Sequence, residues 1–286
     1  MPHQPPSGSP LKRFGHLTAV GVAGASLAFS IAGTAGASGT NSAVPTPRPK
    51  PTIVLEHGAF ADSSSWNSVA ERLKKSGFPV VAAANPLRGP EHDAAYLRSV
   101  MNSIDGPLVL VGHSYGGTVI SNAAVGHEDK VKALVYIAAF LPDTGESSLG
   151  LSNKFPGSTL GDAVEAVPYS LPGGVTGNDI SIKPETFRRQ FAADVPRGQA
   201  ALMATTQRPI AAAALDEKAT RAAWKTIPSW SLIATEDLNI PPVAQRFMSE
   251  RANAHTVEVK ASHAVPVSRP DAVTRIIQQA AASTSR

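Results

Sequence analysis

One stretch of the chain has the residue types and spacing for covalent chemistry: Gly112-His113-Ser114-Tyr115-Gly116-Gly117. It follows the apolar run LVLV (108–111) and precedes a helix-like segment starting at Thr118, so a sharp strand-to-helix turn is predicted with Ser114 at its apex. Side chains at 112 and 116 would collide with neighbouring backbone in such a turn, which is why both positions are glycine. The turn lifts the Ser114 hydroxyl clear of the sheet. It also sets the Tyr115 N–H at a helix N-terminus, where it can face a developing oxyanion. The chemistry implied is nucleophilic attack through a covalent serine intermediate.

A serine hydroxyl is a weak nucleophile at its ordinary pKa and needs a base, itself oriented by an acid, downstream at other strand ends. The run TVEV (256–259) leads into Lys260-Ala261-Ser262-His263, and WSLIA (230–234) leads into Thr235-Glu236-Asp237. Reacting groups gather at the carboxyl ends of parallel strands, where both loops fall. His263 is therefore the expected base and Asp237 the expected acid. His57, His92, His113, His127 and His255 are the other histidines of the body. His57 and His113 lie inside motifs that point them elsewhere, His127 begins a loop and His255 precedes its strand. For the acid, Glu236 would point to the opposite side of its loop, and Asp143, after the fourth strand, stays open as an alternative. A second oxyanion donor belongs in the loop after the first strand, His57-Gly58-Ala59-Phe60, and the N–H of Ala59 is the expected one.

The elements that must hold these groups follow an alternation of short apolar runs and helix-period segments. Strands are expected near 52–56, 79–84, 108–111, 131–138, 230–234 and 256–259. Their runs are apolar without alternation, as for strands buried on both faces of a parallel sheet. Caps and breakers mark helices over 66–75, 90–104 and 270–281. The fold class expected is α/β, a mostly parallel six-stranded sheet with helices on both faces. The region 141–227 breaks the alternation and is too long for an ordinary crossover. It is expected to be a helical cap inserted before the fifth strand, with helices around 185–193, 198–206 and 214–226.

Composition narrows the remaining classes. The net charge of +4 comes wholly from Lys12, Arg13, Arg48 and Lys50, since residues 1–50 contain no acid and residues 51–286 hold 22 basic and 22 acidic groups. A neutral body without basic runs gives no footprint for nucleic acid. With no cysteine there is no disulfide framework, thiolate metal site or cysteine nucleophile. Lys12-Arg13, the 15-residue apolar run 17–31 and Ala35-Gly36-Ala37 read as a signal peptide over residues 1–37, too short and too diluted for a membrane span. Prolines at 45, 47, 49 and 51 make 38–51 an extended linker. The expectation is a secreted protein whose body, from 52 to 286, has no membrane association after cleavage.

The stretches IVLEHGAFADSSSW (53–66), LVLVGHSYGG (108–117), LVYIAAFLPD (134–143), LIATEDLNIPP (232–242) and SHAVPVSRP (262–270) together resemble the α/β-hydrolase superfamily. The branch is that of small methyl esterases and hydroxynitrile lyases with their bacterial esterase relatives. The resemblance implies a sheet without the first two strands of the full fold, a triad of Ser114, Asp237 and His263, and oxyanion donors at Ala59 and Tyr115. The lyases carry Thr where this chain has Gly58, and Lys where it has Ala264, so an esterase is implied. The expected activity is cleavage of small or medium esters or lactones through an acyl-serine, with no metal and no organic cofactor. A non-catalytic binder on the same fold, cofactor-free peroxidation and hydroxynitrile cleavage are the competing readings.

Overall fold

The computed structural model describes residues 49–284, so the expected leader and most of the linker lie outside the described residues. Strands β1 (Thr52–Glu56), β2 (Val80–Ala83), β3 (Leu108–His113) and β4 (Val131–Ile137) alternate with helices α1 (Asn67–Lys75), α2 (Pro90–Asn102) and α3 (Tyr115–Ala123). After the cap come β8 (Ser229–Ala234), α9 (Pro242–Arg251), β9 (His255–Val259), α10 (Val265–Ser268) and α11 (Pro270–Ser283). All six of these strands pair parallel, in the order β2-β1-β3-β4-β8-β9. The expected strands are all present.

Successive strand residues face opposite layers, and both layers are closed. Ile53, Leu55, Val109, Val111, Val135 and Leu232 pack with Val69 and Leu73 of α1 and with Val273, Ile276, Ile277 and Ala280 of α11. Those α11 positions recur at the spacing of one helix face. Val54, Leu110, Leu134 and Tyr136 face the other way, against α2, α3 and α9 through Leu97, Met101, Val119, Ile120 and Met248. The strand order reverses between β1 and β3, so a crevice must open outside their carboxyl ends.

The cap corrects the all-helical expectation. It holds α4 (Ser148–Asn153), α5 (Leu160–Ala163), α6 (Pro184–Phe191), α7 (Arg197–Thr206) and α8 (Ala212–Asp216). It also holds an antiparallel sheet of β5 (Val164–Leu171), β6 (Val175–Ile182) and β7 (Ile210–Ala211). Gly173 and Gly174, with φ of 85° and 78°, supply the left-handed backbone that reverses the β5–β6 hairpin. Pro168, which reads as a strand breaker, is tolerated because β5 is an edge strand. The helix expected over 214–226 is reduced to α8 and a short 3-10 turn at Ala223–Lys225. The N–H groups of Thr220 and Arg221 donate instead to the Asn122 side chain of α3, 3.1 Å each, which outcompetes helix formation there. Among the described residues no helix is long and apolar enough to cross a membrane.

Glu56 ends β1 fully buried, and neither of its carboxylate oxygens has a hydrogen-bond partner among the described residues. Burial, reinforced by the nearby Asp93 carboxylate, pushes its carboxyl well above the ordinary range. The folded chain therefore keeps a proton that the unfolded chain releases above its ordinary value of 4.5, and the associated stability is lost as pH rises through that window. Glu56→Gln keeps the shape and cannot ionise. Its melting temperature should exceed that of the natural chain by a few degrees near pH 8 and by less near pH 5. Calorimetry at the two pH values checks this, and an equal difference at both would contradict it.

Candidate functional site

Ser114 stands where β3 gives way to α3, with φ 55° and ψ −125°, a conformation an L-residue holds only under constraint. Three backbone bonds supply that constraint. Ser114 N–H donates to the Ile137 carbonyl (3.3 Å), and the Ser114 carbonyl accepts from Gly117 (3.0 Å) and Phe140 (3.1 Å). Gly112 and Gly116 sit back to back, as the motif requires: a Cβ on Gly112 would lie 2.6 Å from the Gly116 backbone, and one on Gly116 2.5 Å from the Glu56 carbonyl oxygen.

The loop after β1 lies directly on the serine. A Cβ on Gly58 would stand 2.6 Å from Ser114 Cβ and 3.2 Å from its Oγ, so only glycine lets this loop approach. His57 holds it there. The Asn85 N–H donates to His57 Nε2 (3.0 Å) and the Asn85 side-chain amide to the His57 carbonyl (2.8 Å), which leaves Nδ1–H to donate to the Gly58 carbonyl (2.9 Å). Burial holds the His57 imidazole below its ordinary pKa, consistent with this neutral tautomer. Phe60, at φ 61°, donates its N–H to the Arg208 carbonyl of the cap (2.9 Å). The N–H groups of Ala59 and Tyr115, the expected oxyanion donors, have no protein acceptor among the described residues.

The expected base and acid meet. His263 Nδ1 donates to Asp237 Oδ2 at 2.6 Å, with both side chains almost wholly buried. Asp237 also accepts from the backbone N–H groups of Asn239 (2.7 Å) and Ile240 (3.0 Å) and from the Gln245 amide (2.9 Å). Four donors on one carboxylate fix its plane. Asp143, the alternative acid, is instead at the surface paired with Lys225, and Glu236 faces Lys260 at 3.6 Å. His263 Nε2 has no partner among the described residues, and the Ser114 hydroxyl does not bond it in this state. Catalytic hydrogen bonds of this kind tighten when substrate is bound.

Two supporting groups went unread in the sequence. His113 Nε2 donates to the His263 carbonyl (2.9 Å), and its ring lies 4.8 Å from the His263 imidazole. Burial, and then the neighbouring His263, hold His113 well below the ordinary histidine range, so it serves as a neutral donor. Gln245, on the first turns of α9, bridges Asp237 and the Ile240 carbonyl (2.8 Å). Pro241-Pro242, opening a helix directly after the acid loop, is the one sequence signal that could have pointed to it.

A narrow cavity of about 40 Å3 opens on Ser114, walled by Ala59, Phe60, Phe140, Leu160, Leu215 and Ile240. On the other side of Phe60 lies a wider groove of about 230 Å3 between the 61–68 segment and α7 of the cap, with Gln199 and Met203 among its walls. Ser114 itself is only 7% exposed, so what reaches it must pass the cap. The arrangement can attack an electrophilic carbon from serine, shuttle one proton through an imidazole and hold an oxyanion between two N–H groups.

Residues 53–276 match the alpha/beta hydrolase family. The protein named alpha/beta hydrolase nvfD of Aspergillus novofumigatus is 28% identical over 253 residues, covering 81% of this chain and 97% of that one. Methylesterase 8 of Arabidopsis thaliana is 30% identical over 138 residues, 42% of this chain and 50% of its own. Among solved structures, polyneuridine aldehyde esterase shares the fold with a TM-score of 0.70 at 22% identity, over 80% of this chain and 98% of that chain. With a match running from the first strand into the last helix, the chain belongs to the α/β-hydrolase family, and its expected likeness to the methylesterases holds.

Proposed function

We propose that the protein is an exported serine hydrolase that cleaves small or medium carboxylic esters or lactones through an acyl-Ser114 intermediate. The observation that carries this reading is the buried 2.6 Å contact of His263 with Asp237 beside a serine held in a strained turn. Ser114 attacks the ester carbonyl as His263 Nε2 takes its proton, and Asp237 holds the imidazole and stabilises its cation. The N–H groups of Ala59 and Tyr115 receive the tetrahedral oxyanion. His263 then protonates the departing alcohol, and water repeats the sequence to release the acid. Esterase-named relatives support hydrolysis over binding alone. The small apolar cavity at Ser114 suits a short acyl group.

In a short-chain p-nitrophenyl ester assay, Ser114→Ala and His263→Ala should each lower kcat by about 10⁴-fold or more. Asp237→Asn should fall by a comparable factor, whereas Asp143→Asn stays within about twofold of the natural chain; the reverse order would reassign the acid. Gly58→Ala should slow labelling of Ser114 by a fluorophosphonate by about tenfold or more while the fold persists, because its methyl group needs the space Ser114 occupies. Unchanged labelling would remove the loop from the site. For export, N-terminal sequencing of secreted protein should begin near Ser38, and a start that retains Lys12 and Arg13 would overturn the signal peptide.

A further inference from the structure

The cap reaches past its role as a roof. Gln190, at the end of α6, is buried to 2% exposure. Its amide nitrogen donates to the Leu238 carbonyl (2.9 Å) and to Asn239 Oδ1 (2.8 Å), and its amide oxygen accepts from the Thr159 hydroxyl (2.8 Å). Thr159 N–H donates to the same Leu238 carbonyl at 3.0 Å. Leu238 and Asn239 are the two residues directly after Asp237, and Asn239 N–H itself donates to Asp237 Oδ1. The next residue of the cap, Phe191, sets its ring edge-on to the His263 imidazole at 4.9 Å and accepts the Ala264 N–H on its carbonyl at 2.9 Å. Asp194 accepts the Ser262 hydroxyl. Three residues of the cap segment 190–194, Gln190, Phe191 and Asp194, thus grip the neighbours of both the acid and the base.

We propose that this segment positions the Asp237–His263 pair, so that the cap is part of what aligns the triad. The proposal rests on the triad reading above. Gln190 and Phe191 touch no reacting atom of the ester; Gln190 acts through the Asp237 loop and Phe191 through the His263 ring and the backbone beside it.

The test is Gln190→Met, which keeps length and removes every hydrogen bond, with Thr159→Val as a milder second variant and Leu171→Ser, on the exposed hairpin, as a control. Gln190→Met should lower kcat by about tenfold or more with KM within about twofold, and Thr159→Val should move the same way by less. The hydrogen-bonded His263 Nδ1 proton, read downfield in the proton NMR spectrum, should shift or broaden in both variants and stay put in Leu171→Ser. Unchanged kcat and an unmoved proton in Gln190→Met and Thr159→Val would overturn the proposal, as would a rise in KM alone. Should Gln190→Met fail to fold, Thr159→Val carries the same two readouts. If the natural chain turns over no ester, the triad reading fails, and the proton signal still decides whether Gln190 holds the pair.

Discussion

The strained turn at Ser114 is the constraint on which the rest of the molecule depends. Its backbone conformation costs of the order of 1–3 kcal/mol and persists only because its surroundings over-determine it. β3 enters it paired on both sides, by β1 and β4, and the loop leaving β4 returns a hydrogen bond to the Ser114 carbonyl from Phe140. The β1 loop closes on it from the other side, and only a glycine at 58 permits that approach. A parallel sheet whose order reverses between β1 and β3 is therefore not background to the site. It is what brings the oxyanion loop and the serine together.

Around that turn the molecule arranges buried polar groups in chains that each end on a backbone group. Asn85 fixes His57, and His57 fixes the Gly58 carbonyl. His113 fixes the His263 carbonyl, Gln245 fixes Asp237, and Gln190 fixes the residues beyond it. Buried polar groups that are fully paired specify a single arrangement, which a reaction needing sub-ångström placement requires. Glu56 behaves differently: a buried carboxyl neither of whose oxygens has a partner among the described residues, it stays neutral through desolvation.

Much of this was legible in the sequence. The inner strands β1, β3, β4 and β8 of the main sheet could be read because both faces are buried, leaving apolar runs such as LVLV. The Ser114 turn was legible because close backbone packing admits few residues, and His263 because it alone follows a terminal strand. Asp237 and Asp143 could not be separated by position, since each follows a strand; three-dimensional contact with His263 distinguishes them. The β5–β6 hairpin was missed because Pro168 reads as a breaker wherever the sheet edge is unknown. Gln190 carries no local mark, because its partners lie 48 and 49 residues along the chain.

The proposed chemistry stands or falls with a covalent acyl intermediate on Ser114. Rapid quenching of the natural chain with a short-chain p-nitrophenyl ester, followed by peptide mass spectrometry, tests it directly. One acyl group is expected, carried on the peptide that contains Ser114 and absent from Ser114→Ala. Ester turnover with no acylated peptide, or with the acyl group on another residue, would contradict it.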